Sequence, residues 1–156
     1  GTVTLGSNAS LVFTIRNTGT ADLNLTGSPL VAVSGTNAAD FSVTAQPTTP
    51  VASGGGTTTF TVQFAPGAAG ARNAVLTIAN NDSDEGTFTI NVNGTGQTQY
   101  DAWAGGAAFD TDSNGDGIKN GMAWLLGATN KDINALSFLP TFDNTTDANY
   151  FIFTYL

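Results

Sequence analysis

Ser10-Leu11-Val12-Phe13-Thr14-Ile15-Arg16 and Thr59-Phe60-Thr61-Val62-Gln63-Phe64 decide the fold class. In the first stretch Leu11, Phe13 and Ile15 share one face, and Val12, Thr14 and Arg16 share the other. In the second, Phe60, Val62 and Phe64 all point one way. A side-chain period of two belongs to a strand with one face buried, because successive Cβ atoms point to opposite sides of a sheet. The same alternation returns in Leu76-Thr77-Ile78 and in Phe88-Thr89-Ile90-Asn91-Val92. Shorter candidates are Val3–Leu5, Leu23–Leu25, Leu30–Val33 and Phe41–Val43. Turn residues separate them at Asn17-Thr18-Gly19, Ser34-Gly35, Ser53 to Gly56, Pro66-Gly67 and Asn80 to Gly86. Strand after strand without a helical period predicts an all-β fold over residues 1–96. Phe13, Phe41, Phe60, Phe64 and Phe88 supply an inner face large enough for one core.

Seven or eight short strands of this kind are the pattern of an immunoglobulin-like antiparallel β-sandwich. The residues also resemble a known family. LVFTIRNTGTADLNL at 11–25, ADFSV at 39–43 and FTVQFAPGAAGARNAVLTIANNDSDEGTFTINVNGTG at 60–96 look like the bacterial choice-of-anchor D domain, related to hydin-like and PapD-like immunoglobulin sandwiches. Asn17-Thr18-Gly19, Phe64-Ala65-Pro66, Asn81-Asp82 and Gly94-Thr95-Gly96 carry the likeness, in that order. The resemblance implies a secreted or surface-displayed protein and no single activity. Members of that family carry a further stretch ahead of the position of Gly1 that completes the first strand, and it is missing here.

Composition narrows the chemistry. The chain has no Cys and no His, so thiol chemistry, disulfides and histidine-based proton shuttles are excluded. Its net charge of −8 argues against nucleic acid, whose affinity rests on cations that neutralise phosphates. No apolar run reaches the roughly 20 residues of a membrane-spanning helix. The chain starts at Gly1 with no signal-like apolar region behind it, which reads as a mature or excised segment. Together these features point to an acidic, water-soluble module that works outside the cytoplasm, extracellular or at a cell surface.

Residues 97–148 change character. Gln97-Thr98-Gln99 reads as a polar linker, and Trp103, Met122, Trp124, Leu125 and Leu126 cluster around an Asp- and Asn-rich loop. A short helix is predicted from near Ile118, with Gly127 as its cap. The loop Asp110-Thr111-Asp112-Ser113-Asn114-Gly115-Asp116-Gly117-Ile118-Lys119-Asn120 places oxygen ligands at alternate positions beside a glycine turn, as a hard cation such as Ca²⁺ requires. Asp112, Asn114 and Asp116 occupy positions one, three and five, Ile118 offers its carbonyl and Asn120 falls at position nine. The segment resembles dockerin-type and thrombospondin type 3 calcium loops. It departs from both at position twelve, where Ala123 replaces a bidentate Glu, a gap for Asp110 or water to fill. The competing reading is an Asx-turn loop that binds nothing.

Residues 149–156, Asn149-Tyr150-Phe151-Ile152-Phe153-Thr154-Tyr155-Leu156, form a terminal β-strand without charge or Pro. Tyr150 and Ile152 lie on one side, Phe151, Phe153 and Tyr155 on the other, and such a strand needs a sheet to join. It can open another β domain, fold back within its own chain, or complete the first strand of a neighbouring copy by strand donation. Head-to-tail donation builds a homopolymeric filament.

Other constellations have plainer readings. Asp82, Asp84 and Glu85 sit in a hairpin turn, Asp143 and Asp147 lie in a polar stretch, and Ser10, Ser28 and Ser53 have no His to act as base. Gly54-Gly55-Gly56 lacks the Lys of a phosphate loop. Trp103 and Trp124 are either a sugar-stacking platform or the core of the appendage. Sequons stand at Asn8, Asn24, Asn81, Asn93 and Asn144. No enzyme is expected. Two functions follow: a structural or adhesive component of a bacterial cell surface, or a carbohydrate- or protein-binding accessory module of a larger secreted protein.

Overall fold

The structure, a computed structural model, describes residues 1–139, 141–143 and 152–154. It divides into two compact units, Gly1–Thr98 and Gln99–Leu156.

The first unit is an all-β sandwich. One sheet has the order β1 (Thr2–Thr4), β7 (Thr87–Gln97), β6 (Gly70–Ala79), β3 (Ala32–Ser34). The other has the order β2 (Ala9–Asn17), β5 (Gly56–Phe64), β4 (Phe41–Ala45). The two stretches that decide the fold pair with each other along their length, from Ala9↔Phe64 to Asn17↔Gly56. Every ladder is antiparallel except β1–β7, which is parallel through Thr2↔Thr95, Val3↔Gly96 and Thr4↔Gln97. Phe60, Leu76 and Val31 are the most deeply buried apolar side chains of this core. Phe13 stacks on Phe60 with ring centroids 5.1 Å apart, and Phe41 on Phe64 at 4.8 Å. Stacked pairs of this kind add to the burial of their area.

The motif residues fasten the turns. Asn17 is buried, donates its amide to the carbonyls of Ala21 (2.8 Å) and Val51 (2.9 Å), and accepts the Gly19 N–H (2.9 Å). Asn81 Oδ1 accepts the Asn24 N–H at 2.7 Å, tying the β6–β7 hairpin to the chain after β2. Gly94 and Gly96 leave room where a Cβ would stand 2.5 Å from the Phe64 ring and 2.2 Å from the Ala68 carbonyl.

Four sequence expectations need correction. Leu23–Leu25 is not a strand, because Leu23 bridges to Val51 while Leu25 bridges to Asn80 and donates its N–H to Thr49 Oγ1. No ladder forms when alternate residues bond to different segments. The Leu30–Val33 strand begins at Ala32, since the Val31 backbone is held by the Gln46 amide at both its N–H and its carbonyl. Gln97 is no linker residue but the end of β7, where its side chain donates to Thr4 Oγ1 at 3.1 Å. Leu11 and Phe88 have the inward phase but are 63% and 45% exposed, because the sandwich is open on the side where they stand.

The second unit holds two short helices, α1 (Gln99–Ala104) and α2 (Asn120–Leu125), and a 3-10 turn at Ala135–Phe138. Ala123, Ala128 and Ala135 are buried against Trp103, Ile118 and Phe138. Gly127, with φ +90°, ends α2 as expected. Gly121 packs under the Phe109 ring, which would lie 2.1 Å from a Cβ there. Strand β8 (Thr141–Asp143) pairs antiparallel with β9 (Ile152–Thr154) through Thr141↔Thr154, Phe142↔Phe153 and Asp143↔Ile152. Three residues of the terminal strand therefore have a partner within their own chain. Tyr150, Phe151 and Tyr155 lie outside the described residues.

Candidate functional site

The acidic loop is closed by its own backbone. Gly115 and Gly117 turn it with positive φ, a conformation that glycine adopts without strain. Asp112 accepts the Gly115 N–H on one carboxylate oxygen and the Gly117 N–H on the other, each at 2.8 Å. Asn114 Oδ1 accepts the Asp116 N–H, and its amide donates to the Ile133 carbonyl. Asp116 accepts the Ile118 N–H on Oδ1 at 2.8 Å, and the Ala135 N–H on Oδ2 at 2.6 Å. The Ala135 N–H first, and then that of Ile118, hold the Asp116 carboxyl below its ordinary value of 3.8.

The remaining members of the sequence-read ligand set have other work. Asn120 is only 2% exposed. Its amide donates to Ala108 O, Thr111 Oγ1 and Ser113 Oγ, and its Oδ1 accepts the Ser113 N–H, so it organises the loop from inside. Ile118 packs against the alanine core. Asp110 stands near Tyr100, whose phenol is pushed above its ordinary value by desolvation and then by the charges of Asp101 and Asp110. Among the described residues no three acidic side chains are grouped to hold a metal ion. A Ca²⁺ ion here would have to share Asp112, Asn114 and Asp116 with the backbone donors they already serve.

Trp103 and Trp124 lie half-buried around one ring, Tyr100, whose centroid is 5.8 Å from the first and 5.6 Å from the second. The Trp103 indole N–H donates to the Ala128 carbonyl at 2.6 Å. This arrangement packs the unit rather than presenting a flat platform. Asp82, Asp84 and Glu85 are all exposed in the β6–β7 turn, which Asn80 closes by donating to the Glu85 carbonyl. Hydrogen bonding with the Asp84 side chain, then its backbone, lowers the Asp82 carboxyl from the ordinary 3.8.

A different feature lies on the sandwich. Strand β1 covers β7 only at Thr95–Gln97, so among the described residues the edge from Thr87 to Gly94 has no strand beside it. That edge is about 26 Å long at roughly 3.3 Å per residue. Strand β2 is an edge as well, since among the described residues it pairs with β5 alone. Between the two edges the core is open along a cleft of two recesses, of about 500 and 420 Å³. Both include Phe13 and Ile90 in their walls, so they adjoin at those side chains. The first adds Ile15, Phe60 and Phe88, with Arg16, Asp82 and Glu85 as charged neighbours. The second adds Leu11, Phe64 and Val92 and contains no charged side chain. Sequence reading missed this site because period two marks an inner face without saying whether another strand closes over it.

The ASH family model, described as Abnormal spindle-like microcephaly-assoc'd, ASPM-SPD-2-Hydin, matches residues 1–88, more than half of the chain. The chain belongs to the ASH family. Its sandwich is thus the ASH domain of the chain, a type of module for protein interaction. Among solved structures it is similar to the ASH/PapD-like domain of human CEP192 (PapD-like domain 7). That likeness has 16% identity and a TM-score of 0.39, covering 62% of this chain and 80% of that one. No curated protein matches the chain. No helix among the described residues is long and apolar enough to cross a membrane.

Proposed function

We propose that this ASH-family chain is a structural or adhesive module of a bacterial cell surface that assembles through the open side of its sandwich. The observation that carries the reading is the uncovered β7 edge beside Leu11 and Phe88, large apolar side chains 63% and 45% exposed at the lip of the β2–β7 cleft. An open strand edge offers unpaired N–H and C=O groups, and an apolar cleft beside it offers pockets for alternate side chains. The extracellular setting rests on the resemblance of residues 11–96 to the choice-of-anchor D domain. Calcium is the proposed ion of the second unit, on Asp112, Asn114 and Asp116 with Asp110 or water completing the shell. What supports it is the alternate spacing of oxygens next to a glycine turn.

The test is self-association of the purified chain by light scattering, with Leu11→Asp/Phe88→Asp as the cleft variant. Neither side chain belongs to the buried core, so the variant keeps its far-UV CD spectrum. The expected result is assembly without added ligand, lost in the variant. A chain that stays monomeric at every concentration, or a variant that assembles as well as the parent, overturns the reading.

A further inference from the structure

The cleft calls for a strand of particular chemistry. It is flanked by the open edge of β7, eight residues from Thr87 to Gly94, on which Phe88, Ile90 and Val92 have the inward phase. A strand laid there would extend the sheet at the place where β1 already pairs with Thr95–Gln97. Its inward side chains would enter the second recess, whose walls carry Leu11, Phe13, Ile90 and Val92 and, beside the Gly1 amine, no charged side chain. The occupant therefore needs about eight residues, no charged side chain facing inward, and large apolar groups at every second position.

Residues 149–156 of this chain meet those terms. They number as many as the open edge, have no charged side chain, and alternate Phe151, Phe153 and Tyr155 with Tyr150, Ile152 and Leu156 along the sequence. Either phase fills an apolar cleft. Among the described residues β9 (Ile152–Thr154) uses one edge, toward β8, which leaves its opposite edge for a second ladder. The β8–β9 hairpin can add to β7 as a unit, without giving up its own pairing.

Resting on the assembly reading above, we infer that the β2–β7 cleft is the acceptor for residues 149–156 of a second copy, added edge-on to Thr87–Gly94. Donor and acceptor are different surfaces of the same chain, so the contact is heterologous and repeats as a chain of subunits rather than closing as a two-fold dimer. The apolar core that one copy leaves open is closed by the next.

The experiment uses the full chain, which has no native Cys. Asn91→Cys is made in one preparation and Thr154→Cys in another; the two are mixed and treated with a short bifunctional maleimide. Light scattering is run beside it on Ile152→Asp/Phe153→Asp, which carries charge on both donor faces. The inference expects a covalent dimer from the mixed preparations, and loss of assembly in the donor variant as complete as in the Leu11→Asp/Phe88→Asp cleft variant. If the cleft variant is monomeric while the donor variant assembles normally, the assembly reading stands and this donor is wrong. If a chain bearing both cysteines cross-links within a monomer and the mixed chains do not, the strand fills its own cleft and the inference fails. If neither variant alters the assembly, the interface lies elsewhere and both readings fall.

Discussion

Gly94→Ala tests whether the sandwich is packed as described at its most crowded point. Gly94 lies in β7 opposite Arg72, and its φ is not in the positive range, so an alanine meets no backbone strain there. The obstacle is space alone. A Cβ at position 94 would stand 2.5, 2.7 and 2.8 Å from three carbons of the Phe64 ring, nearer than non-bonded carbons approach. Phe64 has little room to retreat, because its other side stacks on Phe41 at 4.8 Å. Forcing an extra methyl into a packed core costs about 1–3 kcal/mol. Against that, alanine is favoured over glycine within a strand by roughly 0.5–1 kcal/mol. The net destabilisation is therefore about 0–2.5 kcal/mol, and each kcal/mol lowers Tm by about 4–8 °C in a domain of this size. Both Trp and all three Tyr lie beyond residue 98, so aromatic fluorescence reports the second unit and the sandwich is followed by far-UV CD. Phe64→Leu supplies the control. By itself it loses the Phe41 stacking, but in the Gly94→Ala background it also removes the clash, so the double variant loses less than the two singles together. A Gly94→Ala chain at least as stable as the parent, or strict additivity with Phe64→Leu, refutes the packing argument.

Three further outcomes are expected. Asn120→Ala removes the four hydrogen bonds that this buried side chain makes, each worth about 0.5–1.5 kcal/mol, so the Trp103 and Trp124 emission shifts to that of unfolded chain while the CD of the sandwich persists; native emission would show that the inner amide is dispensable. Because the folded Asp116 carboxyl lies below 3.8, its contribution is present above the unfolded value and lost as pH falls through the folded one. Fluorescence-detected melting of the second unit should thus be level near neutral pH and drop in acid below 3.8, with a shallower drop in Asp116→Asn; an equal drop in both removes Asp116 as the cause. For calcium, a Kd of about 10⁻⁴–10⁻³ M makes about 10 mM Ca²⁺ worth roughly 1.4–2.7 kcal/mol by mass action, and a second-unit Tm indifferent to both Ca²⁺ and chelator ends the proposal.

The ladders were legible because period two is local: Leu11, Phe13 and Ile15 announce β2, and Phe60, Val62 and Phe64 announce β5, whatever lies elsewhere. The motif residues were legible as a pattern, and the structure supplies the reasons. Asn17 and Asn81 replace missing backbone partners at two turns, and Gly94 exists to make room for Phe64. What could not be read was whether an inward face is covered. Leu11 and Ile15 have the same phase on β2, yet Leu11 is largely solvated and Ile15 half-buried, because covering depends on a strand from elsewhere in the chain. The parallel pairing of Thr2 with Thr95 spans nearly the whole unit and has no local signature. The acidic loop shows the same limit at smaller scale. Spacing put Asp112, Asn114, Asp116 and Asn120 at alternate positions, but spacing does not set which donor each oxygen meets. Backbone N–H groups of Gly115, Gly117, Ile118 and Ala135 took the carboxylates, and Thr111, Ser113 and Ala108 drew Asn120 inside.

The two unclosed features bear on each other through their chemistry. A cleft with one recess free of charged side chains is costly to leave in water, as is an uncharged terminal stretch rich in aromatic and aliphatic residues. Either would be an aggregation hazard alone, and an unprotected β edge next to exposed Leu11, Val12 and Phe88 compounds it. Only 10% of the residues are charged, but their net charge of −8 makes copies repel one another, so the apolar burial must outweigh that repulsion. One contact that buries the strand in the cleft removes both hazards, and it does so with a defined register instead of an open-ended aggregate. The cost of each exposed surface to a lone molecule is then the driving force for assembly. That force grows with temperature over the range in which hydrophobic burial strengthens, and added salt does not weaken it, because salt screens the repulsion between chains of net charge −8. Assembly that instead weakened sharply with added salt would point to the charged end of the cleft, at Arg16, Asp82 and Glu85, as the true contact.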